Sequence, residues 1–235
     1  MPLHFALTCF KTVFDVEVDS ETTSLQALER ALQRFEIKPK LKNKGKDEAK
    51  KALRLWSPVW YSGSRRGKEG VAHLSCLVLD FDGGLSAEQA SELWGEHHHI
   101  LHSTWSHRPE RPKFRLCMPM ARPVLPQDWA RVWEWAQAHS GGRADPAPKS
   151  IGSTFALPAV KSEDQEVLGW VQEGPLLDPL TLGLIAQEAP PEPARMPAAD
   201  SPFQLGGDPS RRYLRTHERR DAPDWDEDSA FQGLF

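Results

Sequence analysis

Long apolar runs are missing from this chain. None of its 235 residues falls in a stretch near the roughly 18 needed to span a bilayer, and the start, Met1-Pro2-Leu3-His4, lacks the basic region that precedes a secretory core. These absences lead us to expect a cytoplasmic protein with no membrane contact. Cysteine is scarce: Cys9, Cys76 and Cys117 each stand alone in apolar, strand-like surroundings with no Cys-x-x-Cys spacing, which fits core packing in a reducing compartment. A positive excess is absent too. With 29 Lys and Arg against 33 Asp and Glu, the formal net charge is −4, which argues against a protein coated all over in nucleic acid. What is there is an ordinary globular composition, 39% hydrophobic and 26% charged, enough for one good-sized domain with added modules.

The segment Leu77-Val78-Leu79-Asp80-Phe81-Asp82 ends an apolar run with two carboxylates two residues apart. Side chains alternate across a strand, so Asp80 and Asp82 share a face, close enough to share a cation. Two like charges so placed repel unless something neutralises them. Oxygen-only pairs suit Mg²⁺ or Mn²⁺, which take further ligands from substrate phosphates. Gly83-Gly84 opens the backbone beside them. The whole-chain charge also hides a local basic stretch: seven lysines lie between Lys38 and Lys51 against Asp47 and Glu48, and Arg54, Arg65, Arg66 and Lys68 follow. Lys42, Lys44, Lys46, Arg65 and Arg66 are therefore candidates for a track that holds a phosphate backbone.

Pattern and turn signals predict a strand from Leu3 to Phe10, an amphipathic helix from Ser24 to Phe35 and a central buried strand from Val71 to Asp82. Ser86 with Gln89 forms a capping box that starts a helix through about His97. Strands Ile100 to Ser106 and Lys113 to Met118 flank a proline-containing turn as in a hairpin, a helix runs from Pro126 to about Ala138, and short strands follow at Thr154 to Leu157 and Glu166 to Val171. The predicted class is α+β, an antiparallel sheet with flanking helices similar to RNA-recognition-motif topology, over residues 1–186. Residues 187–235 read as a proline-rich linker and acidic tail, largely mobile.

Chemistry converges on the second strand pair. Alternation sets Lys113, Arg115 and Cys117 on one face, His107 at a strand end beside Arg115 can donate to a phosphate oxygen, and Asp145 can complete a three-carboxylate metal site. Together, Leu79-Asp80-Phe81-Asp82, Trp105-Ser106-His107, Lys113-Phe114-Arg115 and Asp145 through Leu157-Pro158 resemble the archaeo-eukaryotic primase superfamily, specifically the primase-polymerases of phages and plasmids, over roughly residues 57 to 160. The resemblance implies a DNA-directed nucleotidyltransferase that makes or extends primers on a single-stranded DNA template from NTP or dNTP. It implies two Mg²⁺ or Mn²⁺ ions on Asp80, Asp82 and Asp145, with His107 holding the incoming triphosphate beside Ser106, Lys113 and Arg115. Relatives carry an Asp and then a Ser-Arg after the third acid, where this chain reads Ser150-Ile151-Gly152, so Lys149 is assigned the missing point charge. The chain ends before any helicase module, so a separate helicase or other replication protein is expected as a partner, docked through the acidic tail Asp224 to Phe235.

Three rivals compete with this reading. Asp80-Phe81-Asp82-Gly83-Gly84-Leu85 is similar to the nucleophile strand of haloacid-dehalogenase-type phosphatases, but lacks their Thr, and the only Gly-Asp pair, Gly207-Asp208, lies in the proline-rich tail. His97-His98-His99 with Tyr213 superficially fits a replication-initiator nickase, although such a triplet usually marks a solvated helix end. The third rival is a non-catalytic nucleic-acid-binding relative of the primases.

Overall fold

A computed structural model describes residues 4–186, 195–198, 201–204, 211–216 and 218–221. Strand β1 (His4–Phe10) runs antiparallel to β2 (Ser20–Ser24), and helix α1 (Leu25–Leu32) follows, its first turn capped by the Ser24 hydroxyl, which accepts from the Ala27 N–H. Next come β3 (Arg34–Ile37), α2 (Lys46–Lys51), β4 (Leu55–Ser57) and β5 (Val59–Tyr61). The middle of the chain supplies β6 (Val71–Phe81), α3 (Ala87–Leu93), β7 (His99–Ser103), β8 (Phe114–Val124) and α4 (Trp129–His139). Short strands β9 (Phe155–Ala156), β10 (Ala159–Val160), β11 (Gly169–Gln172), β12 (Tyr213–Arg215) and β13 (Glu218–Arg220) complete the described elements.

The protein is a mixed α+β fold of mostly antiparallel sheets with few helices. Its central sheet has the order β13-β11-β7-β8-β6-β5, a second sheet runs β2-β1-β4-β9, and a small third one runs β10-β3-β12. The predicted hairpin is present, with β7 antiparallel to β8 and Ile100 opposite Cys117. The capping box at Ser86 and Gln89 is also present, both hydrogen bonds included.

Alternation along β6 and β8 divides the central sheet into two faces. Leu77, Leu79 and Phe81 pack with Phe114, Leu116 and Met118 in one core, under Trp94 at the end of α3 and Trp129, Val132 and Trp133 of α4. Cys76, Val78 and Cys117 pack in a second core with Phe5 and Leu7 of β1, Trp56 of β4, and Leu28 and Leu32 of α1. The cysteines are thus free thiols used as core filler. The second sheet was not foreseen from the pattern, and it, not helices alone, covers that face. Asp80 and Asp82 continue the Cys76-Val78 row beyond the cover of the second core, which is how a buried strand comes to offer two carboxylates to a cleft.

Helix α1 stops at Leu32, short of the predicted Phe35. The Gln33 amide donates to the carbonyls of Leu101 (2.9 Å) and Trp170 (3.2 Å), and the next residues extend to pair with β12 and β10. Those tertiary hydrogen bonds outweigh continued helical periodicity. Helix α3 likewise ends at Leu93, and the following histidines are not a solvated helix end: His98 and His99 are buried, His98 against Glu29 (3.2 Å) and His99 accepting from Ser91 Oγ (2.7 Å). Tyr213 lies apart from them, under the Arg34 guanidinium at 4.0 Å. From the segment after 187, the described stretches form β12 and β13 and lie against the sheets. Gly207-Asp208 and the tail Asp224 to Phe235 lie outside the described residues. Among the described residues no helix is long and apolar enough to cross a membrane.

Burial pushes the His99 imidazole down to about 4 and His102 to about 3. An unfolded histidine takes its proton near pH 6.5, so below that value the unfolded chain binds more protons than the fold does, and stability falls with pH. The loss runs from about 6.5 down to 4 for His99 and to 3 for His102, at up to about 1.4 kcal/mol per pH unit for each. Denaturant midpoints between pH 7 and 4.5 should decline accordingly, and His102→Asn should flatten the slope. An unchanged slope in that variant would contradict the assignment.

Candidate active site

The end of β6 reverses at Gly83 and Gly84, whose positive φ values of 125° and 84° suit only glycine. The turn leaves Asp80 half-buried and Asp82 exposed at the rim of a cleft of about 320 Å³. Asp145 reaches the same cleft from the loop after α4. Its backbone N–H donates to the Asp80 carbonyl at 2.8 Å, and its Oδ1 accepts from the Ala147 N–H at 2.8 Å, which fixes the side chain. The three predicted carboxylates therefore line one cleft, together with Lys113, Arg115 and Ser106.

The β6–β8 register explains what neutralises the acids. Asp80 stands directly opposite Arg115, and the Arg115 guanidinium grips it with two nitrogens, Nε on Oδ1 and Nη2 on Oδ2 (3.2 Å). Lys113 Nζ pairs with Asp82 Oδ2. Arg115 is only 7% exposed. It also donates to the Ala156 carbonyl (2.9 Å) and stacks over Phe155 at 5.0 Å. The carboxylate pair is thus balanced by two protein cations across the strand, a solution that the sequence reading gave to metal alone.

Donor type fits Mg²⁺ or Mn²⁺, since all three acids offer hard oxygens to one cleft. Their placement departs from a closed cage: both Asp80 oxygens are engaged by Arg115, and among the described residues no three His, Cys, Asp or Glu side chains converge at coordinating distance. A divalent ion would have to share these oxygens with, or displace, Lys113 and Arg115.

Ser106 and His107 carry a different signal. His107 Nδ1 accepts from the Lys113 backbone N–H at 3.3 Å, which leaves the ring proton on Nε2. That Nε2 and the Ser106 hydroxyl are both buried without a partner. Burial lowers the His107 affinity for a second proton, although Glu166 and Glu110 oppose the shift. Burial thus favours the neutral ring, which presents one N–H donor. Buried polar groups are nearly always satisfied, and an unsatisfied pair beside a cleft is open to bonding by a ligand or water there.

Ser106, Trp105 and Lys113 also line a second cleft of about 510 Å³, continuous with the first. Lys42, Lys44 and Lys46 line it as a lysine wall. Arg108, Arg111 and Lys161, which sequence reading did not single out, line it too, with Lys161 Nζ 5.7 Å from the Trp105 ring centroid. The two arginines sit in the turn Arg108-Pro109-Glu110-Arg111-Pro112, whose prolines drew attention while its charges did not. Other predicted residues lie elsewhere. Lys149 faces Glu134 of α4 at 3.7 Å, the Arg65 backbone pairs antiparallel with that of Glu17, and Arg66 donates to Thr154 Oγ1 at 3.1 Å; none of the three lines either cleft.

Residues 41–138 match the family model of the VapE N-terminal domain. That stretch contains every candidate residue above except Asp145, Lys149 and Lys161. Among solved structures, the chain is similar to the AEP domain of the cyanophage S-2L primase-polymerase, with 14% identity and a TM-score of 0.43 over 78% of this chain and 89% of that one. Among curated proteins no match was found.

Proposed function

We propose that this protein is a template-dependent nucleotidyltransferase that makes or extends primers during replication of a phage, plasmid or related mobile element. The observation that carries the reading is the single cleft in which Asp80, Asp82 and Asp145 meet Lys113, Arg115 and the unsatisfied Ser106 hydroxyl, with His107 next along the chain. Lys113 and Arg115 would grip the triphosphate of an NTP or dNTP once its charge replaces that of the acids. Ser106 Oγ and His107 Nε2–H would donate to phosphate oxygens. A pair of Mg²⁺ or Mn²⁺ ions, held by Asp80, Asp82 and Asp145, would supply Lewis-acid neutralisation of the triphosphate and leaving pyrophosphate. Primer synthesis and primer extension on single-stranded DNA, with Mn²⁺ and each nucleotide type, test the proposal: polymer that disappears in Asp82→Asn supports it, and no polymer under any condition refutes it.

A second reading, a nucleic-acid-binding relative without catalysis, is favoured by the grip of Arg115 on both Asp80 oxygens. It predicts binding of template without product. On either reading the lysine wall is the template track. Charge reversal at Lys42, Lys44 and Lys46 together should weaken single-stranded DNA binding and reduce the magnitude of the log affinity against log salt slope by about 2, from roughly 0.7 per lost phosphate contact. Fluorescence anisotropy across a salt series measures this, and an unaltered slope would return the segment to a solvated surface.

A further inference from the structure

A separate hollow of about 280 Å³ lies between α1 and the strands near the end of the described chain, and it shares no residue with either cleft above. Four arginines line it: Arg30 and Arg34 at the end of α1 and start of β3, and Arg215 and Arg219 of β12 and β13. Thr216 and the Gln33 amide stand among them. Arg34 is 8% exposed, its guanidinium carbon lies over the Tyr213 ring at 4.0 Å, and its Nε–H is buried with nothing to accept it. Burial depresses its affinity for its proton, Tyr213 partly offsets this, and the charges of Arg215 and Arg30 add to the depression.

The acids of the hollow are already committed. Glu29 is held by Arg219 (2.6 Å) and His98 (3.2 Å), and Glu218 by Arg220 (2.8 Å). Among the described residues no acid pairs with Arg30, Arg34 or Arg215. Three arginines that line one hollow with no acid paired to them among the described residues, one with an orphaned buried N–H, form an arrangement that an anion would complete. Guanidinium forks match phosphate oxygens in pairs.

We propose that this hollow is a phosphate-binding site, distinct from the carboxylate cleft, in which Arg30, Arg34 and Arg215 hold one or two phosphate groups of a free polyphosphate or of a nucleic-acid backbone. The volume accommodates a pyrophosphate-sized anion, and the two sources share the same chemistry. Calorimetric titration with inorganic pyrophosphate and anisotropy with an oligothymidylate separate them, using the full chain and the double variant Arg30→Gln with Arg215→Gln. Neither of those side chains is fully buried, so the fold should persist; a melting curve checks this, and Arg34→Lys, which keeps the charge but loses the fork, is the second variant. Pyrophosphate binding weakened tenfold or more, with oligothymidylate binding unchanged, assigns the site to free polyphosphate. Weakened oligothymidylate binding, with the magnitude of its salt slope reduced by about 1.4 for two lost contacts, assigns it to the backbone. Lysine-wall variants at Lys42, Lys44 and Lys46 should leave the site's pyrophosphate affinity unaltered. Equal affinity of the double variant and Arg34→Lys for both probes would overturn the proposal.

Discussion

Asp80→Asn is expected to lower nucleotidyl transfer by about a hundredfold or more, because one lost carboxylate removes charge stabilisation worth several kcal/mol at the reacting phosphates. The structure adds a second expected effect. Asp80 is the ionic partner of a guanidinium that is only 7% exposed, so the substitution removes its counter-charge and leaves Arg115 at most one amide oxygen at that position, besides the Ala156 carbonyl and the Phe155 ring. Removing one member of a pair strands the other charge; discounted for the partial exposure of Asp80, the cost is about 2 kcal/mol. Transfer rates measured well below the variant's melting temperature separate the two effects. Full activity with unchanged stability would show that Asp80 has neither role.

Arg115→Ala should act in the opposite electrostatic sense. The variant leaves Asp80 and Asp82 facing each other across two residues of strand with only Lys113 to balance them. We expect the nucleotide KM to rise about tenfold or more, from the loss of charge-assisted bonds worth about 1.5 to 3 kcal/mol. We also expect a loss of stability of about 2 to 4 kcal/mol, because the side chain bridges β8, β6 and β9 at once. Arg115→Lys keeps the charge without the fork and should restore part of the stability but little of the nucleotide affinity. A variant that loses stability while nucleotide binding stays intact would make Arg115 a structural clamp only.

The feature most legible in the sequence was the one set by period alone. Alternation in Leu77 to Asp82 and in Lys113 to Met118 placed the acids on one face and the cations on another strand's matching face, and the register of β6 with β8 brings those faces together. What alternation could not supply is the register itself, so direct opposition of Asp80 and Arg115, and with it the neutralisation of the acids by protein cations, was invisible. The capping box at Ser86 was readable because its donors and acceptors lie within four residues. Helix α1 was read too long because the amide of Gln33 is spent on Leu101 and Trp170, partners 68 and 137 residues away. Lys149 was assigned the point charge of the Arg missing after the third acid; the short helical turn 147–149 sets it 3.7 Å from Glu134 instead of in either cleft. Residues Arg108 and Arg111 were hidden by their neighbouring prolines.

Strands β12 and β13 have a consequence for any attempt to isolate residues 1–186. They are separated by two residues, yet β12 pairs with β3 in one sheet and β13 lies parallel to β11 in another. Cutting the chain after 186 would strip β13 from the outer side of β11 and bare the backbone amides and carbonyls of Trp170 to Gln172. It would also remove Thr216 from Gln33. An open sheet edge of that kind recruits strands from other molecules, so the shortened protein should self-associate, and a preparation ending no earlier than Asp221 should stay monodisperse under the same conditions.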